Sequence, residues 1–347
     1  MLTREDFYAI NKQTLDKYFF GGKKRKLYIY PELNAIVTKR PSKKVKKYLY
    51  VEYKVNASLL KRIVVYLYTR LTINSFGMFA KKTCDINGDF SSDCLIYPCN
   101  KKIRIFDFKN NTVRVIPKAT FPDVDIRKEI AFRTQNKAEF IPEILSFEEN
   151  NYNEKIIDGY PLAREKEKFE FYKEKAYKMW SEYIASSTYN VTAKEYVNKL
   201  RKKFESLLIQ ISEEKNVDKD KIVAIENKLF ELISTFDEDV EVGLSHGDLQ
   251  PGNIWIENNT NKIYIIDWEA YDERCLNYDY IVLNNQIRRT DGFSKFISIV
   301  NESVQNLIVL YEDLLFKINE LNSLPQDFGK EDFANYIEIV FKGIGNV

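Results

Sequence analysis

The sequence predicts an α+β fold, in which a small β-rich region with one helix precedes a larger helical region carrying an embedded hairpin. Three observations predict it. Between residues 102 and 157, apolar alternation and turn chemistry read as strands around a single helix. Residues 166–236 and 279–345 have helical periodicity, the first of them rich in Lys and Glu. Between these helical stretches, Ile254-Trp255-Ile256 and Ile263-Tyr264-Ile265-Ile266 are joined by Asn258-Asn259-Thr260-Asn261, which reads as an antiparallel hairpin.

In chain order, residues 1–90 are expected as a mostly helical N-terminal extension. Its basic cluster, Lys39 to Lys47, reads as a solvated face in preference to a surface for phosphates or anionic lipid. Leu59 to Leu71 has apolar residues at helical spacing and is expected to pack against the rest of the fold, in preference to lying on a membrane surface. The most apolar stretch, Ser58 to Phe79, contains Lys61, Arg62 and Arg70, so no transmembrane segment is expected, and any membrane contact would be peripheral. Residues 91–159 are the β-rich region. Lys102 to Phe108 alternates as a strand, Asn110-Asn111 tolerates the positive φ of a turn, Val113 to Ile116 returns, and Pro117 ends the strand. A helix is expected over 123–136, with Ile126, Ile130 and Phe132 on its apolar side. Ile141 to Phe147 and Lys155 to Ile157 read as two further strands before Gly159-Tyr160-Pro161 breaks the chain. Residues 160–347 make up the helical region.

The chain has 347 residues, 44% hydrophobic and 30% charged, which excludes a disordered protein. Lys+Arg 53 against Asp+Glu 51 lacks the basic excess of a nucleic-acid coat, so no nucleic-acid partner is expected. Cys84, Cys94, Cys99 and Cys275 have no CxxC spacing and only one histidine to join them, so reduced thiols fit better than a zinc site. The opening Met1-Leu2-Thr3-Arg4-Glu5-Asp6 has no basic-then-apolar pattern. A cytoplasmic location is therefore expected.

The chemistry concentrates in Ser245-His246-Gly247-Asp248-Leu249-Gln250-Pro251-Gly252-Asn253 and in Ile266-Asp267-Trp268-Glu269. In a hairpin the start of the first strand lies beside the end of the second. Asn253 and Asp267 occupy those two places, and an amide oxygen beside a carboxylate suits Mg²⁺, which prefers oxygen ligands. Asp248 lies five residues before Asn253, on a loop tightened by Gly247, Pro251 and Gly252. A carboxylate there can orient an acceptor hydroxyl and take its proton, as phosphoryl transfer requires.

His246-Gly247-Asp248 through Asn253 has the spacing of the kinase catalytic loop. With Ile266-Asp267-Trp268-Glu269 and Tyr278-Asp279-Tyr280, it resembles the aminoglycoside phosphotransferase and choline kinase-like superfamily. The resemblance implies a protein kinase-like bilobal fold with a small β-rich N-lobe and a larger helical C-lobe. It further implies Asp248 as catalytic base, Asn253 and Asp267 as metal ligands, and Asp279 as a buried brace for the loop. His246 is expected to hold backbone rather than to act as base. Kinases also anchor nucleotide phosphates with a strand lysine paired to a helical glutamate. Glu129 is the expected glutamate, Lys118 the first candidate for the lysine and Arg114 the second. Purine is expected on backbone near Ile157 and Asp158. The implied activity transfers the γ-phosphoryl group of ATP or GTP, with Mg²⁺, to a hydroxyl of a small molecule: a sugar, glycan precursor, amino alcohol or aminoglycoside. Glu269, Asp272 and Glu273 are candidates for holding an amine, and Tyr271, Tyr278 and Tyr280 for stacking on a sugar or quaternary ammonium. The rival reading is a catalytically weak, kinase-shaped binding or scaffold protein.

Overall fold

The strands of the first 158 residues join one antiparallel sheet. The computed structural model describes residues 4–52, 59–324 and 329–345. Met1 to Thr3 of the opening sequence and Ser58 of the apolar stretch lie outside the described residues, as do 53–57 of the expected helical extension. The chain divides into two units, one formed by residues 2–137 and 142–158, the other chiefly by 159–347.

The first unit runs α1 (Arg4–Tyr18), β1 (Lys24–Tyr30), β2 (Ala35–Val37), α2 (Lys43–Glu52), α3 (Leu59–Ile73), β3 (Lys82–Asn87), β4 (Cys94–Pro98), β5 (Lys102–Asp107), β6 (Thr112–Pro117), α4 (Val124–Gln135), β7 (Ile144–Phe147) and β8 (Tyr152–Lys155). Among the described residues its sheet has eight strands in the order β3-β1-β2-β4-β5-β6-β8-β7. Among the described residues, positions 1–90 carry three α-helices, in line with the mostly helical expectation, but they are no separate extension, because β1, β2 and β3 are built into this sheet. For β2 and the second half of β1 the reason the sequence does not show them lies in burial on both faces, whereas β3, at the edge, keeps its alternation. Leu27, Ile29 and Ile86 pack with Leu15 of α1, whereas Tyr30, Ala35 and Val37 pack with Val45 and Leu49 of α2 and Ile130 of α4. A strand covered on both sides loses the in–out alternation that would announce it.

The β5–β6 hairpin and α4 fall where the sequence places them, and Asn111 takes φ 57° in the turn. The last strand is displaced from Lys155–Ile157 to Tyr152–Lys155. Its register is set by β6, where Val115 pairs with Tyr152, and by the tight turn that Glu148 N–H closes on Asn151 O at 2.8 Å.

The second unit runs β9 (Gly159–Pro161), α5 (Phe169–Ile184), β10 (Tyr189–Thr192), α6 (Ala193–Ile209), α7 (Lys219–Ser234), β11 (Asp239–Ser245), β12 (Ile254–Glu257), β13 (Ile263–Ile265), β14 (Asp272–Cys275), α8 (Asn277–Asn284), α9 (Thr290–Ser298), α10 (Val304–Ser323) and α11 (Lys330–Gly345). Three of its helices, α6, α7 and α10, start at side-chain caps. Thr192 accepts from Glu195 N–H, Asp218 from Lys221 N–H and Ser303 from Asn306 N–H, each contact contributing about 1 kcal/mol. Helix α10 is buried over most of its length and sits at the centre, with α6, α7, α8 and α11 packed against it. The layout, an antiparallel sheet with helices packed on it and then a helical unit carrying a short hairpin, is that of the protein kinase-like α+β fold.

Inside this core, Glu312 of α10 accepts hydrogen bonds from Tyr196 Oη at 2.6 Å and Cys275 N–H at 2.7 Å. Burial pushes its carboxyl up to about 8. A raised carboxyl favours the folded state while it stays protonated, so its contribution is complete below the unfolded value near 4.5 and is lost as pH rises through about 8. Urea unfolding between about pH 5 and pH 8 is expected to show stability falling by up to about 1.4 kcal/mol per pH unit from this group. Glu312→Gln should flatten that fall. Equal slopes in parent and variant would remove Glu312 as its source.

Candidate active site

Strand β11 ends at Ser245, and the chain turns sharply at Gly247, which takes φ +81°. A Cβ at this position would lie 2.2 Å from Ala270 O, so only glycine fits. The turn is tied from below by Asp279 of α8. Its Oδ2 accepts His246 N–H at 2.8 Å and Trp180 Nε1–H at 2.9 Å, and its Oδ1 accepts Gly247 N–H at 3.0 Å. His246 is fully buried. Its Nδ1 accepts Asp248 N–H at 3.2 Å, so Nε2 carries the proton and donates to Ile266 O at 3.0 Å. Its ring lies 4.5 Å from that of Trp268, whose Nε1–H donates to Ile265 O. The only histidine of the chain thus fastens the loop to the end of the hairpin.

Hairpin β12–β13 brings its two ends together as its sequence requires. Ile254 pairs with Ile265, and Ile266 N–H donates to Asn253 O at 2.9 Å, so Asn253 sits one residue from Asp267 across the ribbon. Asn253 Nδ2 donates to Asp248 O at 2.9 Å and to Asp248 Oδ2 at 3.0 Å. With the amide nitrogen spent on the loop, the amide oxygen faces away from Asp248. Asp267 adopts the left-handed conformation, φ 71° and ψ 56°, a strained backbone for a residue that is not glycine and a common feature of functional sites. One amide oxygen and one carboxylate are hard oxygen donors, and this donor set fits Mg²⁺.

The structure adds a residue the sequence reading did not single out. Arg288, in the α8–α9 connection, donates from Nε to Asp248 Oδ1 at 2.8 Å and from Nη2 to Gly247 O and Tyr278 Oη, both at 2.9 Å. Its Nη1 meets Asp313 of α10, and its guanidinium lies 4.1 Å from the Phe316 ring. Gln250 Nε2 donates to Asp248 Oδ2 at 2.9 Å. The half-buried Asp248 is therefore held by three side chains, and one of them reaches it from a buried carboxylate in the central helix.

Several candidates for acceptor contacts are otherwise engaged. Tyr278 is fully buried, with its hydroxyl on Arg288 and Asp313, and offers no stacking face. Asp272 and Glu273 are paired with Lys203 and Lys199 of α6, so they are not open amine sites. Tyr280 is exposed and meets Tyr177 edge-on at 5.2 Å. Tyr271 and Glu269 are half-buried around the short turn after Asp267.

In the first unit, Glu129 of α4 is buried, and the lysine beside it is Lys102 of β5. Lys102 Nζ lies 3.6 Å from Glu129 Oε2, and Arg133 Nη1 bonds Glu129 Oε1 at 3.1 Å. Strand parity explains why neither Arg114 nor Lys118 is in this place. Val113 and Val115 of β6 face α4, so Arg114 and Ile116 face α1, and Lys118 follows with the same parity. Lys102 stands opposite Pro117 and shares its face. Arg114 is taken up by Asn151 Oδ1 at 3.1 Å and Glu148 at 3.6 Å. Burial pushes the Lys118 ammonium down to about 8, countered by Cys99. Ile157 and Asp158 follow β8 in the chain link between the two units.

The family model for Choline/ethanolamine kinase matches residues 182–280, which include Asp248, Asn253, Asp267 and Asp279. No curated protein matches the chain. Among solved structures, a choline/ethanolamine kinase family protein from Mesorhizobium loti is similar, with 14% identity, TM-score 0.46, and 73% of this chain and 88% of that one covered. An ethanolamine kinase from Plasmodium vivax has 16% identity and TM-score 0.46, over 87% and 93% of the two chains. A thermostable mutant of aminoglycoside phosphotransferase APH(4)-Ia, in ternary complex with ADP and hygromycin B, has 12% identity and TM-score 0.48, over 74% and 94%. The motif resemblance read from residues 244–281 is thus to a family of small-molecule kinases.

Arg288→Met would strand the buried Asp313 carboxylate and is expected to cost about 3–5 kcal/mol in urea unfolding. Adding Asp313→Asn removes the stranded charge, so the double variant should be less destabilised than the sum of the single variants. Strict additivity would show that the pair is not coupled.

Proposed function

We propose that this protein transfers the γ-phosphoryl group of ATP or GTP to a hydroxyl of a small molecule. The observation that carries the reading is the three-point hold on Asp248, by Arg288, Gln250 and Asn253, on a loop whose next support is the hairpin end bearing Asp267. Phosphoryl transfer asks a protein mainly for position and charge, and a rigid carboxylate beside an oxygen donor set answers both needs.

In this reading the acceptor hydroxyl hydrogen-bonds Asp248. As its oxygen bonds to phosphorus and the bond to the nucleoside diphosphate breaks, the hydroxyl proton passes to the Asp248 carboxylate. Arg288 and the two amides keep that carboxylate aimed while the proton arrives. Asn253 and Asp267 would hold Mg²⁺, which when bound offsets the charge of the phosphates. The Lys102–Glu129 pair would grip the α- and β-phosphates in place of Lys118, with purine on the backbone of Ile157 and Asp158. The acceptor is a small hydroxylated molecule, and the family match puts amino alcohols first in the panel to be tried, beside sugars and aminoglycosides.

Release of nucleoside diphosphate, measured across choline, ethanolamine, sugars and aminoglycosides with Mg²⁺, is expected to identify an acceptor. With it, Asp248→Asn should lower turnover by roughly a thousandfold or more, with nucleotide binding largely kept. Lys102→Met should cost about a hundredfold, and Lys118→Met far less. The reverse order would return the phosphate role to Lys118. Nucleotide binding without diphosphate release against any acceptor would favour the scaffold reading.

A further inference from the structure

Helix α3 is turned the wrong way round for a helix that only supports a fold. Its inward residues include Thr69 and Thr72, both buried, and the Thr69 hydroxyl is satisfied within the helix by Val65 O at 2.8 Å. Its outward face carries Leu60, Ile63, Val64, Leu67 and Leu71, each 47–73% exposed. The chain beyond it adds Phe76, Met78 and Phe79, all more than half exposed. An apolar surface of this extent marks an interaction site.

The stretch of sequence that supplies this surface, between Glu32 and Asp85, is one-sided in charge. From residue 33 to residue 84 the sequence has twelve Lys and Arg against a single acidic residue, Glu52. That segment carries a net +11 in a chain whose formal net charge is +2, so the remainder carries −9. An open cavity of about 570 Å³ lies beside it, lined by Lys24, Arg25, Lys26, Lys39 and Arg40 with the hydroxyls of Thr38, Ser91 and Ser92. Lys24 approaches Asp85 at 3.9 Å, whereas no carboxylate pairs with Arg25, Lys26, Lys39 or Arg40 among the described residues. The cavity and the apolar surface are continuous, because Arg40 lines the cavity and its guanidinium stands 5.4 Å over the Phe76 ring.

We propose that this side of the first unit docks on an anionic phospholipid bilayer, with the apolar face of α3 and Phe76, Met78 and Phe79 at the acyl boundary and the cationic cavity around lipid phosphate. The chemistry selects this occupant. Exposed aliphatic residues, phenyl rings, and clustered Lys and Arg with almost no acid are the pattern of an interfacial element. A second copy of the chain would instead bring like charge against like. At fifteen residues, with Lys61 and Arg70 along it, α3 is too short and too charged to span, and no described helix is long and apolar enough to do so. None of these residues belongs to the catalytic loop or the hairpin, so the proposal stands apart from the phosphotransfer reading.

The full chain should sediment with vesicles of phosphatidylcholine mixed with phosphatidylglycerol, not with phosphatidylcholine alone, and release as salt rises. Lys39→Glu with Arg40→Glu should weaken this binding by about tenfold or more. Leu67→Glu with Leu71→Glu, at exposed positions, should abolish it while the thermal melt stays unchanged. Binding to both vesicle types alike, to neither, or with parental affinity in both double variants would overturn the proposal. So would a dimer broken by Leu67→Glu in a protein that ignores vesicles, which would give the face to a second copy.

Discussion

The loop that carries Asp248 stands on one carboxylate. Asp279, buried at the start of α8, receives the backbone N–H of His246 and of Gly247 and the indole N–H of Trp180. Two consecutive amides aimed at one side chain fix the peptide planes on both sides of His246. That in turn fixes where the next residue, Asp248, leaves the backbone. A charged acceptor makes such bonds stronger than neutral ones, and burial keeps water from competing for them. Remove the carboxylate and three buried donors lose their partner at once.

From this brace the remaining geometry follows by short links. His246 passes the constraint to Ile266 O and so to the end of β13, next to Asp267. Asn253 passes it from Asp248 to the start of β12. Arg288 carries it to Asp313, in the helix around which the second unit packs. The loop, the ribbon and the central helix are thereby held as one network, a suitable basis for chemistry that depends more on position than on reactive groups.

The loop and hairpin were legible in the sequence because their information is local. Gly247 and Gly252 mark turns, two apolar runs flank an Asn-rich connection, and spacing alone brings Asn253 next to Asp267. The lysine beside Glu129 was harder to read, because a strand terminus hides which face a side chain takes. The decisive signal was present in Val113 and Val115, whose parity separates them from Arg114 and Lys118, and in the pairing that sets Lys102 opposite Pro117. Strand β2 and the second half of β1 were missed because burial on both faces erases alternation, and Lys24-Arg25-Lys26 opens β1 with charge; β3 does alternate, with Cys84 and Ile86 buried and Asp85 exposed, and that signal was passed over. Arg288 had no local signature at all. Its partners lie 10 to 41 residues away in sequence, and only the packing of α8, α9 and α10 brings them together.

The central claim is that the two ends of the β12–β13 ribbon form a divalent-cation site serving a nucleotide. Thermal melting of the parent protein with ATP or GTP, in the presence and absence of Mg²⁺, tests it most directly. The account predicts a rise in melting temperature that needs both nucleotide and metal, and its loss in Asp267→Ala. A rise of equal size without Mg²⁺, or one that survives in Asp267→Ala, would contradict it.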